Sequence, residues 1–317
     1  MSARCDIESI VLSVVVSSLL AACGESKMLP PDSPAMTPTP SGQIAFVSTR
    51  DGSPYIYIDS AGDPNVRRLT RGENPAWSSD GSRIVFNDVA SGDELPAILI
   101  INADGSGEHV LPIKGTTPTW SPDGTKLAFA TPTGIYVANI DGSASIRLVP
   151  NDFIESGDEL SDPSWAPDGN KIAFVRANLD DAPPHVYIVG TDGSAPRPPL
   201  DGLFSERRPR WSQDGTQLAF QSDALGGVLI VTENADGSGV KTLVSGPFPI
   251  EHADWSSDGF NVSFAKSTVG ESRLRIFVTD TRTRATRQLI PDVSGVASAN
   301  YDDYQGAWSR AKGPWDY

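Results

Sequence analysis

Pairs of large apolar residues recur along the chain, and one smaller residue separates the two members of each pair. The six pairs are Ile44/Phe46, Ile84/Phe86, Leu127/Phe129, Ile172/Phe174, Leu218/Phe220 and Val262/Phe264. Alternation with a period of two residues predicts β-strands, because successive side chains of a strand point to opposite faces. Large residues on one face and small ones on the other suit sheets that pack face to face.

Each of these strands belongs to a longer repeat. A tryptophan and a tight turn precede five of the strands, as in "WSPDG" from Trp120, and the tryptophans follow one another at intervals of 43 to 53 residues. In the turn, Asp accepts hydrogen bonds from nearby backbone N–H groups, and Gly adopts the left-handed conformation that larger residues avoid. A third apolar strand, a "DGS" turn and a polar outer strand complete the unit. The repeated tryptophans are Trp77, Trp120, Trp165, Trp211, Trp255 and Trp308.

The order of the pieces predicts how the fold closes. The repeats begin with a second strand at Gln43–Phe46 and end with a tryptophan strand at Ala307–Trp308. A period of 40 to 50 residues is typical of propellers. We therefore predict an all-β, six-bladed β-propeller in which the C-terminal inner strand completes the N-terminal blade and leaves no open sheet edge.

The repeat "P-x-W-S-P-D-G-x-x-[IL]-A-F" resembles the PD40 repeats of the TolB-type β-propellers, over about residues 42–313. The resemblance implies a propeller in the bacterial cell envelope that binds protein partners. TolB proteins carry an α/β domain ahead of the propeller. Here a proline-rich segment precedes Gly42, so we expect that domain to be missing.

The N-terminal segment predicts that the protein is exported. Ile10–Ala22 is mostly apolar but too short to span a bilayer as a helix, which suits a secretory signal; the alternative is a buried core segment. "LAAC", ending at Cys23, resembles the bacterial lipobox and implies a lipid anchor on Cys23. Gly24 in place of aspartate implies the outer membrane, facing the periplasm. The predicted organisation is residues 1–23 lipoprotein signal, 24–41 proline-rich tether and 42–317 propeller.

Charge and cysteine content narrow the possible partners. The net charge of −15 argues against binding to nucleic acid, because contact with phosphates requires a basic surface. The only cysteines are Cys5 and Cys23, so residues 24–317 contain neither a disulfide nor a cysteine-based metal site. We expect a monomer with an envelope protein or a glycan as its partner.

The segments before the tryptophans differ most between repeats. Each leads from an outer strand to the next inner strand, so we expect all six to converge at one opening of the central channel, where variable loops favour binding. The predicted rim residues are Glu73, Asn74, Glu159, Asp162, Glu206, Arg207, Arg208, Glu251, His252, Asp303 and Tyr304. The tryptophans themselves are expected to pack between blades.

The sequence offers little for catalysis. It has neither a G-x-S-x-G nor an H-E-x-x-H motif, and its only histidines are His109, His185 and His252. We therefore predict a non-catalytic binding or scaffold protein without a cofactor or metal. The alternative is a propeller enzyme acting on saccharides, a lyase or a glycoside hydrolase, because two carboxylates suffice for glycoside hydrolysis. Glu159, Glu206 and Glu251 are the rim candidates.

Overall fold

The computed structural model describes residues 42–60, 66–88, 95–178, 182–197, 205–223, 228–246, 250–267, 273–290 and 302–309. All of them belong to one compact unit, Thr39–Tyr317. The predicted signal (1–23) and tether (24–41) lie outside the described residues. No helix in the described part of the chain is both long and apolar enough to cross a membrane.

The described residues form six antiparallel sheets, the blades, and one 3₁₀ turn at Asn151–Phe153. Blade 1 contains β1 (Gln43–Ser48), β2 (Tyr55–Ser60) and β3 (Arg67–Arg71). Blade 2 contains β4 (Glu73–Trp77), β5 (Arg83–Asn87), β6 (Ala97–Asn102) and β7 (His109–Lys114). Blade 3 contains β8 (Thr116–Trp120), β9 (Lys126–Thr131), β10 (Gly134–Asn139) and β11 (Ile146–Arg147). Blade 4 contains β12 (Asp158–Trp165), β13 (Lys171–Asn178) and β14 (Ala182–Gly190). Blade 5 contains β15 (Glu206–Trp211), β16 (Gln217–Ser222), β17 (Val228–Asn234) and β18 (Lys241–Gly246). Blade 6 contains β19 (Ile250–Trp255), β20 (Asn261–Ser267), β21 (Leu274–Asp280) and β22 (Thr286–Gln288). The last strand is β23 (Asp303–Trp308).

Blade 4 differs from the four-stranded unit that the repeat predicts. Among the described residues its outer edge has only an isolated bridge between Ile188 and Arg197. The next residues in the sequence are Pro198 and Pro199. Proline has no backbone N–H, so neither position can donate a ladder hydrogen bond to a neighbouring strand.

The propeller closes through its C-terminal strand, as the sequence predicts. β23 pairs antiparallel with β1, from Ile44 opposite Trp308 to Ser48 opposite Asp303, and so forms the inner strand of blade 1. β23 also lies against β4 of blade 2 and β19 of blade 6. The fold is therefore an all-β, six-bladed propeller whose first blade is shared by the two ends of the described chain.

The core lies between the blades, and the two faces of each sheet serve different neighbours. In blade 1, Ala45 and Val47 pack with Trp77 and Phe86 of blade 2. Ile44 and Phe46, on the other face of the same strand, pack against blade 6. The alternating apolar residues of β1 therefore pack against a neighbouring blade on each face of the sheet. All six repeated tryptophans are buried, with at most 6% of their surface exposed.

Four tryptophans also join neighbouring blades by hydrogen bonds. In each case Nε1 donates to the backbone carbonyl of the residue just before the tryptophan of the preceding blade. The bonds are Trp77 to Ala307 (3.0 Å), Trp120 to Ala76 (3.1 Å), Trp211 to Ser164 (3.1 Å) and Trp255 to Arg210 (3.2 Å). The bond from Trp77 crosses the closure, because its acceptor belongs to the C-terminal strand.

The turns after the tryptophans have the predicted chemistry. In the first complete turn, Ser78 Oγ donates to Asp80 Oδ1 at 2.6 Å, and the backbone N–H of Ser82 donates to the same oxygen at 3.1 Å. These bonds stabilise the ionised carboxylate and lower the pKa of Asp80 to about 2, with the Ser78 hydroxyl contributing most. Gly124 of the corresponding turn in blade 3 has a φ of 69°, in the left-handed region.

Replacing Asp80 with asparagine should reduce the dependence of stability on acid pH. Because folding depresses the pKa of Asp80, its contribution to stability is present above the unfolded value near 3.8 and is lost as the pH falls towards 2. The change should be on the order of 0.5 kcal/mol, because water screens an exposed carboxylate. Urea unfolding at pH 5 and pH 2.5 measures it. Asp168→Asn is the control, because Ala166 replaces the serine in its turn; an equal effect there would contradict the hydrogen-bond explanation.

Candidate functional site

The inner strand of every blade contains a β-bulge three residues before its tryptophan. At each bulge the pairing register shifts, and one residue other than glycine has a positive φ, between 48° and 57°. A bulge redirects a side chain relative to a regular strand, and a left-handed conformation at such residues is uncommon. The six residues, which we call the channel ring, are Asn74, Thr117, Asp162, Arg208, His252 and Gln305.

The channel ring lines a cavity of about 340 Å³ at the centre of the propeller, to which all six blades contribute. The residues just before each tryptophan form a second ring in the wall of the same cavity: Ala76, Thr119, Ser164, Arg210, Asp254 and Ala307. Most of them are small. Arg210 is the only cation of this second ring, and its side chain is partly buried.

One side of the channel ring is neutral and internally hydrogen-bonded. Gln305 Nε2 donates to Asn74 Oδ1 at 2.9 Å, and the backbone N–H of Asn74 donates to Gln305 Oε1 at 2.8 Å. Asn74 Nδ2 also donates to Asn87 Oδ1, which accepts the backbone N–H of Thr117 at 3.0 Å. Amides on this side therefore use much of their bonding capacity on one another.

The opposite side is charged. Arg208 Nη1 lies 3.1 Å from Glu251 Oε2 and 3.1 Å from Nδ1 of His252. Burial lowers the pKa of His252 well below its usual value, and the charges of Arg208 and Arg210 lower it further. A neutral ring that accepts a hydrogen bond at Nδ1 carries its proton on Nε2. That Nε2 atom is buried and has no hydrogen-bond partner among the described residues.

Comparison with known proteins identifies the family. The model of the PD40 family, described as the TolB beta propeller domain, matches residues 116–297, which is more than half of the chain. The chain belongs to this family. A comparison with curated protein sequences found no match.

Several solved structures resemble this PD40 propeller. TolB from Acinetobacter baumannii superposes with a TM-score of 0.68 and 18% identity, over 86% of this chain and 67% of that one. A chain from a nidogen/laminin complex gives 0.65 and 13%, over 86% and 99%. An oligogalacturonate lyase in complex with manganese gives 0.55 and 17%, over 82% and 77%. Identities this low show the fold alone.

Four predicted rim residues of the PD40 propeller lie in the wall of the cavity: Asn74, Asp162, Arg208 and His252. Others lie outside the lining. Glu159 and Arg207 are exposed, while Glu251 is about one-third exposed and holds Arg208. Tyr304 donates its hydroxyl to Glu73 Oε1 at 3.2 Å, and burial raises the pKa of this tyrosine.

Two predicted rim residues are instead buried inside the fold. Glu206, with 1% of its surface exposed, accepts the backbone N–H of Val186 at 3.0 Å. Asp303 is fully buried beside Arg50, at 2.9 Å; burial raises the pKa of its carboxyl, and the arginine partly offsets this. Both lie at the start of an inner strand on the face that packs between blades, so neither reaches the opening.

The predicted rim residues do not include Thr117, Gln305 and Arg210, which also line the cavity. A signal for them was present, because they occupy the third and the first positions before a repeated tryptophan. Comparing the six repeats position by position, rather than loop by loop, would have selected both rings. A neutral or small residue at these positions carries no chemical signal of its own.

The three predicted carboxylates lie in different surroundings. Glu159 is exposed, Glu206 is buried in a structural bond, and Glu251 pairs with Arg208. The carboxylates that line the cavity are Asp162 and Asp254, and Asp254 Oδ2 accepts the backbone N–H of Trp308 at 2.8 Å. The described residues contain no group of three or more His, Cys, Asp or Glu residues that could hold a metal ion.

Proposed function

We propose that this PD40 propeller is a non-catalytic binding protein of the bacterial cell envelope, which binds a protein partner at the channel ring. The observation that carries the proposal is the channel ring. A rigid scaffold presents six different side chains around one cavity, and the charged side of the ring has hydrogen-bonding groups that no other described residue uses. Binding sites are typically concave and contain a few converging polar groups.

The comparisons support a protein as the partner. The family model is that of the TolB propeller domain, and the fold resembles a chain solved in a nidogen/laminin complex. The lipobox-like "LAAC" and the proline-rich segment after it support a lipid anchor on Cys23 and a tether, which would place the propeller at the membrane surface, in our proposal the outer membrane facing the periplasm.

A saccharide-acting enzyme is the second candidate, favoured by the fold that the chain shares with an oligogalacturonate lyase solved with manganese. The described residues do not fit a manganese site of that kind, because no three potential ligands come together. His252 is the only histidine of the cavity wall, and its Nδ1 is occupied by Arg208. A metal-dependent reaction is therefore not part of the proposal.

Crosslinking in the native envelope, followed by mass spectrometry, tests the proposal. We expect a protein to be captured, and reversal of Arg207 and Arg208 to glutamate should reduce its capture about tenfold, since opposed charges steer and orient partners. The matched control reverses Arg67 and Arg68, an exposed pair on outer strand β3. Capture of a saccharide would favour the enzyme. Loss of capture in the control alone would place the binding surface on the outer edges of the blades.

A further inference from the structure

On the charged side of the channel ring, Arg210 and His252 have hydrogen-bond donors without acceptors among the described residues. The side chain of Arg210 makes one hydrogen bond among the described residues, from Nη1 to the carbonyl of Pro209 at 2.8 Å, and no ion pair. A guanidinium group has five N–H donors, so most of those of Arg210 remain available to a ligand. The buried Nε2–H of His252, nearby, has no acceptor among the described residues either.

No carboxylate among the described residues forms an ion pair with Arg210. Asp254 follows it around the second ring, but the carboxylate of Asp254 accepts the backbone N–H of Trp308 and forms no ion pair with Arg210 in the described structure. Glu251 pairs with Arg208 instead, at 3.1 Å. Asp162 Oδ2 accepts a hydrogen bond from the hydroxyl of Ser161 in the same strand. The side chain of Arg210 is thus a cation in the wall of a cavity, and it has no ion-pair partner among the residues that the structure describes.

Arg208 lies in the same sector, and His252 holds it there. Blade 5 supplies both arginines, two residues apart on β15, and both line the cavity. Because His252 is neutral, it accepts a hydrogen bond from Arg208 Nη1 instead of repelling the guanidinium group. The remaining N–H groups of Arg208 stay available in the wall of the same cavity.

We propose that Arg210 and Arg208 form a carboxylate subsite inside the channel, which receives a carboxylate group of the protein partner, with His252 as the residue that positions Arg208. The inference rests on the proposed function, because it assigns a chemical group to the partner that the channel ring binds. Two guanidinium groups in the wall of one cavity match a carboxylate, to which arginine donates charge-assisted, often paired, hydrogen bonds.

The cavity wall favours a peptide carboxylate over that of an acidic sugar. A saccharide site buries the ring of the sugar against an exposed apolar or aromatic wall. The tryptophans of this wall expose at most 6% of their surface, and the indole N–H groups of Trp77 and Trp120 already donate to the neighbouring blade. An acidic side chain or a chain terminus needs only the two arginines and space, which the small residues of the second ring provide.

Calorimetric titration of the full chain in detergent with N-acetylglycine tests the subsite. N-acetylglycinamide is the uncharged probe and galacturonate the saccharide probe. Wild type should bind N-acetylglycine more tightly than either, and Arg210→Gln should weaken this binding about tenfold, the effect of losing a charged hydrogen bond. The affinity of Arg210→Lys for N-acetylglycine should lie between that of the wild type and that of Arg210→Gln, because lysine keeps the charge but lacks the planar guanidinium group.

Arg67→Gln is the matched control, because Arg67 also donates to backbone carbonyls but lies exposed on β3. It should bind N-acetylglycine as the wild type does. Equal binding of N-acetylglycine and its amide, or undiminished binding by a folded Arg210→Gln variant, would overturn the subsite. So would binding of galacturonate alone. If the titration succeeds but crosslinking captures no protein, the proposed function fails while the subsite stands.

Discussion

A chain that ends at residue 301 should lose its cooperative unfolding transition at room temperature. The deletion removes β23, which pairs with β1 from Ile44 to Ser48. It also removes Trp308, a residue of β23 that is only 3% exposed. Loss of a buried tryptophan side chain alone costs about 3–5 kcal/mol, and a whole domain is stable by only about 5–15 kcal/mol. The deletion also removes the carbonyl of Ala307 that accepts Trp77 Nε1 and the Asp303 carboxylate that pairs with Arg50. Urea unfolding followed by circular dichroism measures the outcome.

The matched control is a chain that ends at residue 309, which keeps β23 and lacks the last eight residues, including Trp315. It should unfold at the same urea concentration as the full chain. If the chain that ends at residue 301 also keeps its full unfolding transition, closure through β23 contributes little to the stability of the fold.

Replacing Cys23 with alanine should release the protein from the membrane. The proposed anchor is a lipid on this cysteine, and each CH₂ group buried in the bilayer contributes about 0.8 kcal/mol, so its loss changes the distribution between membrane and soluble fractions almost completely. Ultracentrifugation of lysed cells, followed by immunoblotting of pellet and supernatant, measures it. Cys5→Ala is the control, because Cys5 is the only other cysteine and precedes the proposed anchor. Equal amounts of wild type and Cys23→Ala in the pellet would rule out the anchor.

The fold was predictable from the sequence because the repeat encodes it locally. A pair such as Ile44 and Phe46 indicates a strand by its spacing, and the turn residues after each tryptophan fix the hairpins. The closure of the propeller could be predicted from the number and order of the strands, because the repeats begin with a second strand and end with a tryptophan strand, which together complete one blade. Blade 4 did not follow the repeat at its outer edge, where the described residues form one isolated bridge in place of a fourth strand.

The wall of the channel was less predictable, because a bulge changes the direction of a side chain without changing the type of residue. Asp162 and Arg208 belong to the channel ring, whereas Glu206, two residues before Arg208, is buried against blade 4. In a regular strand Glu206 and Arg208 would share a face. The register shift between Arg207 and Arg210 separates them. The sequence shows the loop but not the bulge within it.

The left-handed bulges also bear on how such a propeller can acquire new specificity. Each channel-ring residue belongs to a different blade, and its backbone conformation is set by the register of its own inner strand. An exchange at one of these positions therefore alters one-sixth of the circumference and leaves the packing between blades in place. The present ring combines an amide pair, a hydroxyl, a carboxylate, a guanidinium and an imidazole. Divergence after duplication of an ancestral repeat can thus explore ligands one sector at a time.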